Sequence, residues 1–195
     1  MNVLIFKSDV NLKRFAKQIL RNEPKIIKKY PPTNCRNVKT DGETGLGYDS
    51  LTSRFYHFNI LNWLNTNQLK KEIRKGYESY TNVNNTPLFV QCWANVMRRC
   101  DRIKPHVHMN SNISPLHALS GHLCVKVDSS TNTYYGGKPV RYVNGEMIFF
   151  PGTMTHWTDT YMGDSERITV AFDIFSEKRF NHDIVEHAKK HFVRI

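Results

Sequence analysis

Three histidines in the second half of the chain have the spacing of a metal site. His106 and His108 occur in PHVHM, which begins a run of strand-like sequence. Side chains two residues apart on a strand point to the same face, and two neutral imidazoles on one face can bind a divalent transition metal. His156 follows the apolar run GEMIFFPG, 48 residues after His108. We expect it at a strand end, where it can supply a third ligand.

Arg167 is the second residue whose type and position suggest a role in chemistry. It opens the apolar run RITVAFDIF, eleven residues after His156. An arginine that points inward needs a partner, and a carboxylate matches the fork of its guanidinium. Thr169 would face the same side and add a hydrogen bond to that carboxylate. The alternative is a surface ion pair of Arg167 with Asp164 or Glu166.

Short apolar or alternating runs dominate the chain from Pro87 onward and predict a sandwich, barrel or jelly roll. The periodicity predicts helices over residues 9–22, with Asp9 as the N-cap, over 60–80 and over 178–195. We therefore predict one mainly β domain with flanking helices (α+β). Its parts are a helical and loop segment over 1–86 that packs on the core, a β core over 87–177 and a C-terminal helix over 178–195. The six predicted strands lie in LFVQCWANVMRR, PHVHM, LSGHLCVKVD, GKPVRYV, GEMIFFPG and ERITVAFDIF.

Composition limits the functional classes. The 195 residues carry a net charge of +11, with ten Lys and Arg against two acids in residues 1–40 and five against two in 178–195. These basic ends are either a solvated surface or a docking site for an acidic partner such as nucleic acid. The sequence has no apolar run of membrane-spanning length and no secretory signal, so we expect a cytoplasmic protein. Nothing in it supports a serine or cysteine hydrolase.

The order of these motifs resembles that of the iron(II) and 2-oxoglutarate-dependent oxygenases, particularly the small microbial and phage branch. The resemblance covers residues 87–175, with LTSRFYHFNIL at 51–61 as a weaker match, and rests on WANV, PHVH, LSGHLCVKV, GEMIFFPGTMTH and ERITVAF. It implies a double-stranded β-helix, a form of jelly roll. It also implies an enzyme that uses Fe(II), 2-oxoglutarate and dioxygen to hydroxylate an unidentified substrate.

The same resemblance implies roles for individual residues. His106, His108 and His156 would hold the iron, while Arg167 and Thr169 would bind the distal carboxylate of 2-oxoglutarate. Trp157, next to the distal histidine, is either a wall of the substrate pocket or a packing residue.

One departure from the family leaves alternatives open. Most members have H-x-D where this chain has His106-Val107-His108, so a carboxylate ligand is missing. Asn110 could take the place of His108, and His117 or His122 could approach the site. Two other functions also stay open. One is a cupin-type metal dioxygenase that needs no 2-oxoglutarate, and the other is a non-catalytic jelly-roll module for binding or virion structure.

Overall fold

The computed structural model describes residues 3–32, 45–109, 118–128, 130–184 and 186–195. Asn110 and His117 lie outside these residues. The described strands are β1 (Leu4–Lys7), β2 (Leu88–Met97), β3 (Ala118–Lys126), β4 (Asn132–Tyr135), β5 (Lys138–Arg141), β6 (Glu146–Pro151), β7 (His156–Thr158), β8 (Arg167–Ser176) and β9 (Val193–Arg194). The helices are α1 (Leu12–Lys29), α2 (Asn67–Thr81), α3 (Glu177–Asp183) and α4 (Glu186–Lys189), with short 3₁₀ turns at Thr52–His57 and Ile60–Asn62.

The strands form two antiparallel sheets. The large sheet has the order β1-β6-β3-β8-β2-β9, and the small sheet has the order β5-β4-β7. Tyr135 of the small sheet and Phe150 of the large sheet belong to one buried cluster, so the sheets pack face to face. This arrangement, with the helices outside, confirms the predicted mainly β fold of the jelly-roll type.

Alternation along the central strands separates the apolar core from the inner face. In β8, Ile168, Val170 and Phe172 belong to the main apolar cluster, which also contains residues of α1 and α2. The intervening residues of β8 point to the opposite face, toward the small sheet. That face carries Arg167 and Thr169, and it is where the candidate site lies.

Helices α1 and α2 cover the outer face of the large sheet. Phe15 and Ile19 of α1 and Ile73 of α2 are buried in the main cluster. Gly76 allows the close approach of α2, because a Cβ at this position would lie 2.0 Å from the ring of Phe149. Its poor helix propensity is thus offset by close packing against the sheet. None of the helices among the described residues combines the length and the apolar character that crossing a membrane requires.

The first helix is displaced from its predicted bounds of 9–22. Asn11, not Asp9, caps it, with its side chain accepting a hydrogen bond from the backbone N–H of Arg14 at 3.1 Å. The helix continues through Pro24 to Lys29, because Ile26 is buried against the same core as the earlier apolar positions. The prediction therefore ended the helix before two of its buried positions, Glu23 and Ile26.

The C-terminal segment is not the single helix predicted for 178–195. Its described residues form α3, α4 and the short strand β9. Val193 pairs with Val90 and Arg194 with Phe89, which adds an edge strand beside β2. These ladder hydrogen bonds are only available to an extended chain, so they override the helical periodicity.

Candidate metal centre

His106 and His156 are placed by a backbone bridge between two chain-distant segments. The N–H of each donates to the carbonyl of the other, at 3.2 Å and 3.0 Å, and the N–H of His108 donates to Gly152 O at 2.9 Å. PHVHM therefore runs antiparallel to the segment that follows β6, as an irregular stretch with one isolated bridge instead of the predicted strand. Directly opposed residues of an antiparallel pair point to the same side, so the two imidazoles meet.

The structure brings His106, His108 and His156 into one group. One ring nitrogen from each residue lies within 4.8 Å of the other two. Nε2 of His106 lies 3.2 Å from Nε2 of His108. Two nitrogens about 2.1 Å from one ion are about 3 Å apart when their bonds form a right angle. The separation therefore fits two adjacent metal ligands.

The other ring nitrogen of each histidine has an acceptor as its neighbour. Nδ1 of His106 lies 2.7 Å from Lys104 O, and Nδ1 of His156 lies 3.2 Å from Met154 O. Nδ1 of His108 lies 2.6 Å from Oδ1 of Asp173. Carbonyl and carboxylate oxygens only accept hydrogen bonds, so each Nδ1 carries the proton. With the proton on Nδ1, the neutral form of each ring presents the lone pair of Nε2 to the centre of the group.

Burial keeps two of the rings neutral. It lowers the pKa of His106 to about 4, with the neighbouring His108 as the second cause. It also lowers the pKa of His156 well below the usual value, again with His108 adding to the effect. Neutral imidazole is the form that binds metals. The group therefore fits a divalent transition metal at neutral pH.

Arg167 is almost fully buried, with 1% of its surface exposed, and it has no carboxylate partner among the described residues. Its Nη1 lies 3.3 Å from Met97 Sδ, its Nη2 lies 3.2 Å from Thr133 Oγ1, and its Nε has no partner. The alternative surface pairing is not seen. Asp164 pairs with Arg99 at 3.0 Å and Glu166 pairs with Lys126 at 3.0 Å.

A buried guanidinium without a counter-charge is costly, so this position suits an anionic ligand. Thr169 is also buried and lies on the same face of β8, two residues further along. Both residues thus occupy positions from which they can contact the same group.

His122, which sequence reasoning left open, lies beside the three histidines but outside the group. Its ring centre is 5.5 Å from that of His156. Its Nδ1 lies 2.8 Å from the hydroxyl of Tyr135 and 2.9 Å from that of Tyr142. Burial lowers the pKa of His122 well below its usual value. It is a neutral, hydrogen-bonded residue between the histidine group and the tyrosine pair.

Two residues that sequence reasoning missed contact the group directly. Asp173 accepts hydrogen bonds from His108 and from the hydroxyl of Ser120, which lies 2.6 Å from the same oxygen. The only signal was the acid in the apolar run VAFDIF, which has the same strand parity as Arg167. Its partner could not be identified without the register of β3 and β8.

A cavity of about 430 Å³ opens onto the histidines. Aromatic side chains form much of its wall, including Phe55, Trp93 and Phe192. Trp157, predicted as a candidate wall, is not among the lining residues. Instead it stacks on Tyr134 with 5.1 Å between the ring centres. Its outward position on β7 explains the difference, because it alternates with the inward-facing His156.

Comparison with known proteins supports the fold but gives no sequence relative. No model of a protein family matches the sequence, and no curated protein is significantly similar to it. Among solved structures, it is similar to the viral collagen prolyl hydroxylase of Paramecium Bursaria Chlorella virus-1 in complex with 2OG. The identity is 10%, the coverage is 89% of this chain and 96% of that one, and the TM-score is 0.53.

Two further structures share the fold. The α-ketoglutarate-dependent epimerase SnoN from nogalamycin biosynthesis is 11% identical, with a TM-score of 0.55 and coverage of 89% and 77%. The non-heme monooxygenase ThoJ in a nickel complex is 13% identical, with a TM-score of 0.56 and coverage of 89% and 73%. At these identities the comparisons establish a common fold.

Proposed function

We propose that this protein is an Fe(II)- and 2-oxoglutarate-dependent oxygenase that hydroxylates its substrate. The observation that carries the proposal is the buried, uncompensated guanidinium of Arg167 on the same inner face as the three converging histidines. In this proposal a dicarboxylate bridges the two features, with one end on a metal and the other on the arginine. The solved structures of similar fold include a 2OG complex and an α-ketoglutarate-dependent enzyme.

Different residues would bind the metal and the cosubstrate. The Nε2 atoms of His106, His108 and His156 would hold the iron, and three protein ligands leave positions open for reactants. Arg167 would bind the distal carboxylate by two parallel hydrogen bonds, with Thr169 as a further donor. Bound iron with 2-oxoglutarate supplies the oxidation, in which one oxygen atom of O₂ enters the substrate C–H bond and the other enters succinate as CO₂ is released.

The cavity wall favours an uncharged or cationic substrate group. Among the described lining residues, Asp173 is the only Asp or Glu and none is a Lys or Arg, since Arg167 lies outside this set. Because Arg167 is proposed to bind 2-oxoglutarate, an anionic group of the substrate would find no guanidinium or ammonium partner in this wall. The rings of Phe55 and Trp93, 5.2 Å apart between their centres, offer an aromatic surface to a flat or apolar group. We therefore propose a substrate that presents an uncharged or cationic, flat or apolar group to the metal.

An acidic partner is proposed for the basic N-terminal segment. On α1, seven cations are exposed and lie within an arc of about 160° at 3.6 residues per turn. The acid of this helix, Glu23, is buried and paired with Arg98 at 2.7 Å. The stripe consists of Lys13, Arg14, Lys17, Arg21, Lys25, Lys28 and Lys29. It faces away from the sheet, and we propose that it docks nucleic acid at a place remote from the metal centre.

Anaerobic titration of the Fe(II)-loaded protein with 2-oxoglutarate tests the proposed function. Saturable binding, followed by succinate formation when air is admitted, would support it. Metal binding without 2-oxoglutarate binding would favour the cupin-type dioxygenase, in which Arg167 would bind a substrate carboxylate. Failure to bind metal would favour a non-catalytic jelly-roll module.

A further inference from the structure

We propose that Asp173 is a positioning residue of the metal centre, acting through His108. In this role it fixes the ring of His108 with Nε2 toward the metal and supplies, from outside the ligand set, the negative charge that three histidines lack. The inference rests on the metal site of the proposed function but does not require 2-oxoglutarate.

The contact has the geometry of a strong hydrogen bond. Oδ1 of Asp173 lies 2.6 Å from Nδ1 of His108, slightly shorter than the roughly 2.7 to 2.9 Å of charge-assisted N–H···O hydrogen bonds. Oδ1 also accepts from the hydroxyl of Ser120 at 2.6 Å. The two donors hold the carboxylate in one orientation, and the carboxylate in turn holds the imidazole.

Strands of the large sheet place Asp173 and Ser120, and these residues in turn orient His108. Asp173 of β8 is directly paired with Ser120 of β3 and with Gln91 of β2, so it lies in the middle of the large sheet. His108 comes from the irregular segment after Pro105, whose backbone is held by its bond to Gly152 O. A side chain on such a segment gains orientation from a partner on the sheet. The ring of Trp93, 5.6 Å from that of His108, limits the space on one side.

A purely structural role explains Asp173 less well. The side chains of His108 and Asp173 are 8% and 15% exposed, so the pair is largely removed from water. An apolar pair of similar volume would generally be as stable or more stable at such a position. The pair also lies at the cavity and not in the apolar core. These features fit a residue that serves the metal site.

Asp173 also supplies a carboxylate near the metal site, where this chain has H-x-H in place of H-x-D. A neutral third histidine leaves the charge of a divalent ion uncompensated in the ligand set. A carboxylate that accepts the Nδ1 proton increases the electron density at Nε2 and makes it a better donor to the metal. The negative charge is thus present, but the imidazole ring of His108 and one hydrogen bond separate it from the metal.

Ni(II) titration tests the inference, because Ni(II) binds imidazole sites more tightly than Fe(II) and is stable in air. Asp173→Asn keeps the size of the side chain and removes the charge. We expect the Kd for Ni(II) to rise about 10-fold to 100-fold, the usual range for loss of such a partner. The visible spectrum of the Co(II) form should change as well, since it reports on the ligand field. Asp164→Asn, at an exposed ion pair, is the matched control and should leave both unchanged.

A double-mutant cycle separates positioning from a general effect on folding. Titration at high Ni(II) concentration measures the weak binding that two histidines retain in a His108→Ala protein, and if Asp173 acts through His108, Asp173→Asn should have little further effect on that Kd. Additive losses, or an unchanged Kd and Co(II) spectrum in Asp173→Asn, would overturn the inference. The metal-free melting temperature of each variant shows whether the fold is intact. Wild-type protein that binds no Ni(II) would overturn the metal site itself, whereas failure to bind only 2-oxoglutarate would leave this inference standing.

Discussion

The guanidinium of Arg167 lies over the ring of Tyr142, with 5.0 Å between the guanidinium carbon and the ring centre. An aromatic face stabilises a cation less than a carboxylate does, and the nearby Met97 and Thr133 offer only neutral atoms. The arginine is thus held in place without being neutralised. This combination differs from a structural ion pair and supports the proposed role of Arg167 in binding an anionic ligand.

Substitution of Arg167 should separate cosubstrate binding from metal binding. In Arg167→Ala we expect normal Ni(II) affinity and a loss of about 1.5 to 3 kcal/mol in 2-oxoglutarate binding, roughly a ten-fold to hundred-fold rise in Kd. Arg167→Lys should retain part of the affinity, because a point charge cannot form two parallel hydrogen bonds. Ni(II) titration of the metal-free protein measures the first quantity, and calorimetric titration of the Mn(II) form with 2-oxoglutarate measures the second. Equal 2-oxoglutarate affinity in wild type and Arg167→Ala would remove Arg167 from the site.

Removing the charge of Arg167 should weaken 2-oxoglutarate binding but should not destabilise the fold. Arg167→Met replaces an uncompensated buried charge by an apolar side chain, so we expect the melting temperature of the metal-free protein to be at least that of the wild type. Arg54→Met is the matched control. Arg54 is also buried, but it donates to the carbonyl oxygens of Tyr30 and Ser50, both at 3.0 Å. Its loss should cost about 1 to 3 kcal/mol. A large destabilisation by Arg167→Met would indicate a structural arginine.

The histidine group should lose its metal when one member is removed. We expect His156→Ala to retain no Ni(II) after gel filtration, because two imidazoles remain and the bridge partner of His106 has lost its ring. Far-ultraviolet circular dichroism should show an intact fold. His187→Ala, an exposed histidine on α4, is the control and should retain metal as the wild type does. Undiminished metal content in His156→Ala would contradict the assignment.

Much of the site could be predicted because its signals are local. The H-x-H pair, the strand-end position of His156 and the spacing to Arg167 are all visible within short segments, and the fold class follows from the alternating runs after Pro87. The contact of Asp173 with His108 was not predictable in this way. It depends on how β8 pairs with β3, and therefore on interactions across 65 residues of sequence.

Competition between interactions explains the remaining differences. Asp164 and Glu166 are near Arg167 in sequence, yet each pairs with another cation, which only the three-dimensional arrangement decides. Val193 belongs to a segment whose apolar spacing predicts a helix, but its pairing with β2 yields backbone hydrogen bonds that the periodicity cannot reveal. Local patterns predict types of elements, and tertiary contacts decide where those elements end.

Acid should destabilise the metal-free protein. The folded state holds the pKa of His106 at about 4 and also lowers those of His122 and His156, whereas the unfolded value of histidine is about 6.5. Between these values the unfolded chain binds more protons than the folded chain, so the free energy of unfolding rises with pH. The stability that these neutral histidines contribute is therefore lost progressively as the pH falls below about 6.5. Each such group contributes at most about 1.4 kcal/mol per pH unit. Urea unfolding at pH 7 and pH 5 measures the effect. His122→Phe should reduce the slope, and an unchanged slope would contradict the assignment of a neutral buried His122.

The cationic stripe of α1 should bind nucleic acid in a salt-dependent manner. Duplex DNA binding through Z phosphate contacts gives a slope of log K against log salt of about −0.9Z. A protein with Lys17→Gln, Arg21→Gln and Lys25→Gln loses three contacts, so its slope should be shallower by up to about 2.7 and its affinity at low salt lower. The control carries the same charge change at three exposed cations outside α1, namely Lys71, Lys138 and Arg141. Fluorescence anisotropy with a labelled duplex measures both. If the two triple variants weaken binding equally, the effect is one of net charge and α1 is not a docking surface. No binding by the wild type at low salt would identify the stripe as a solvated face.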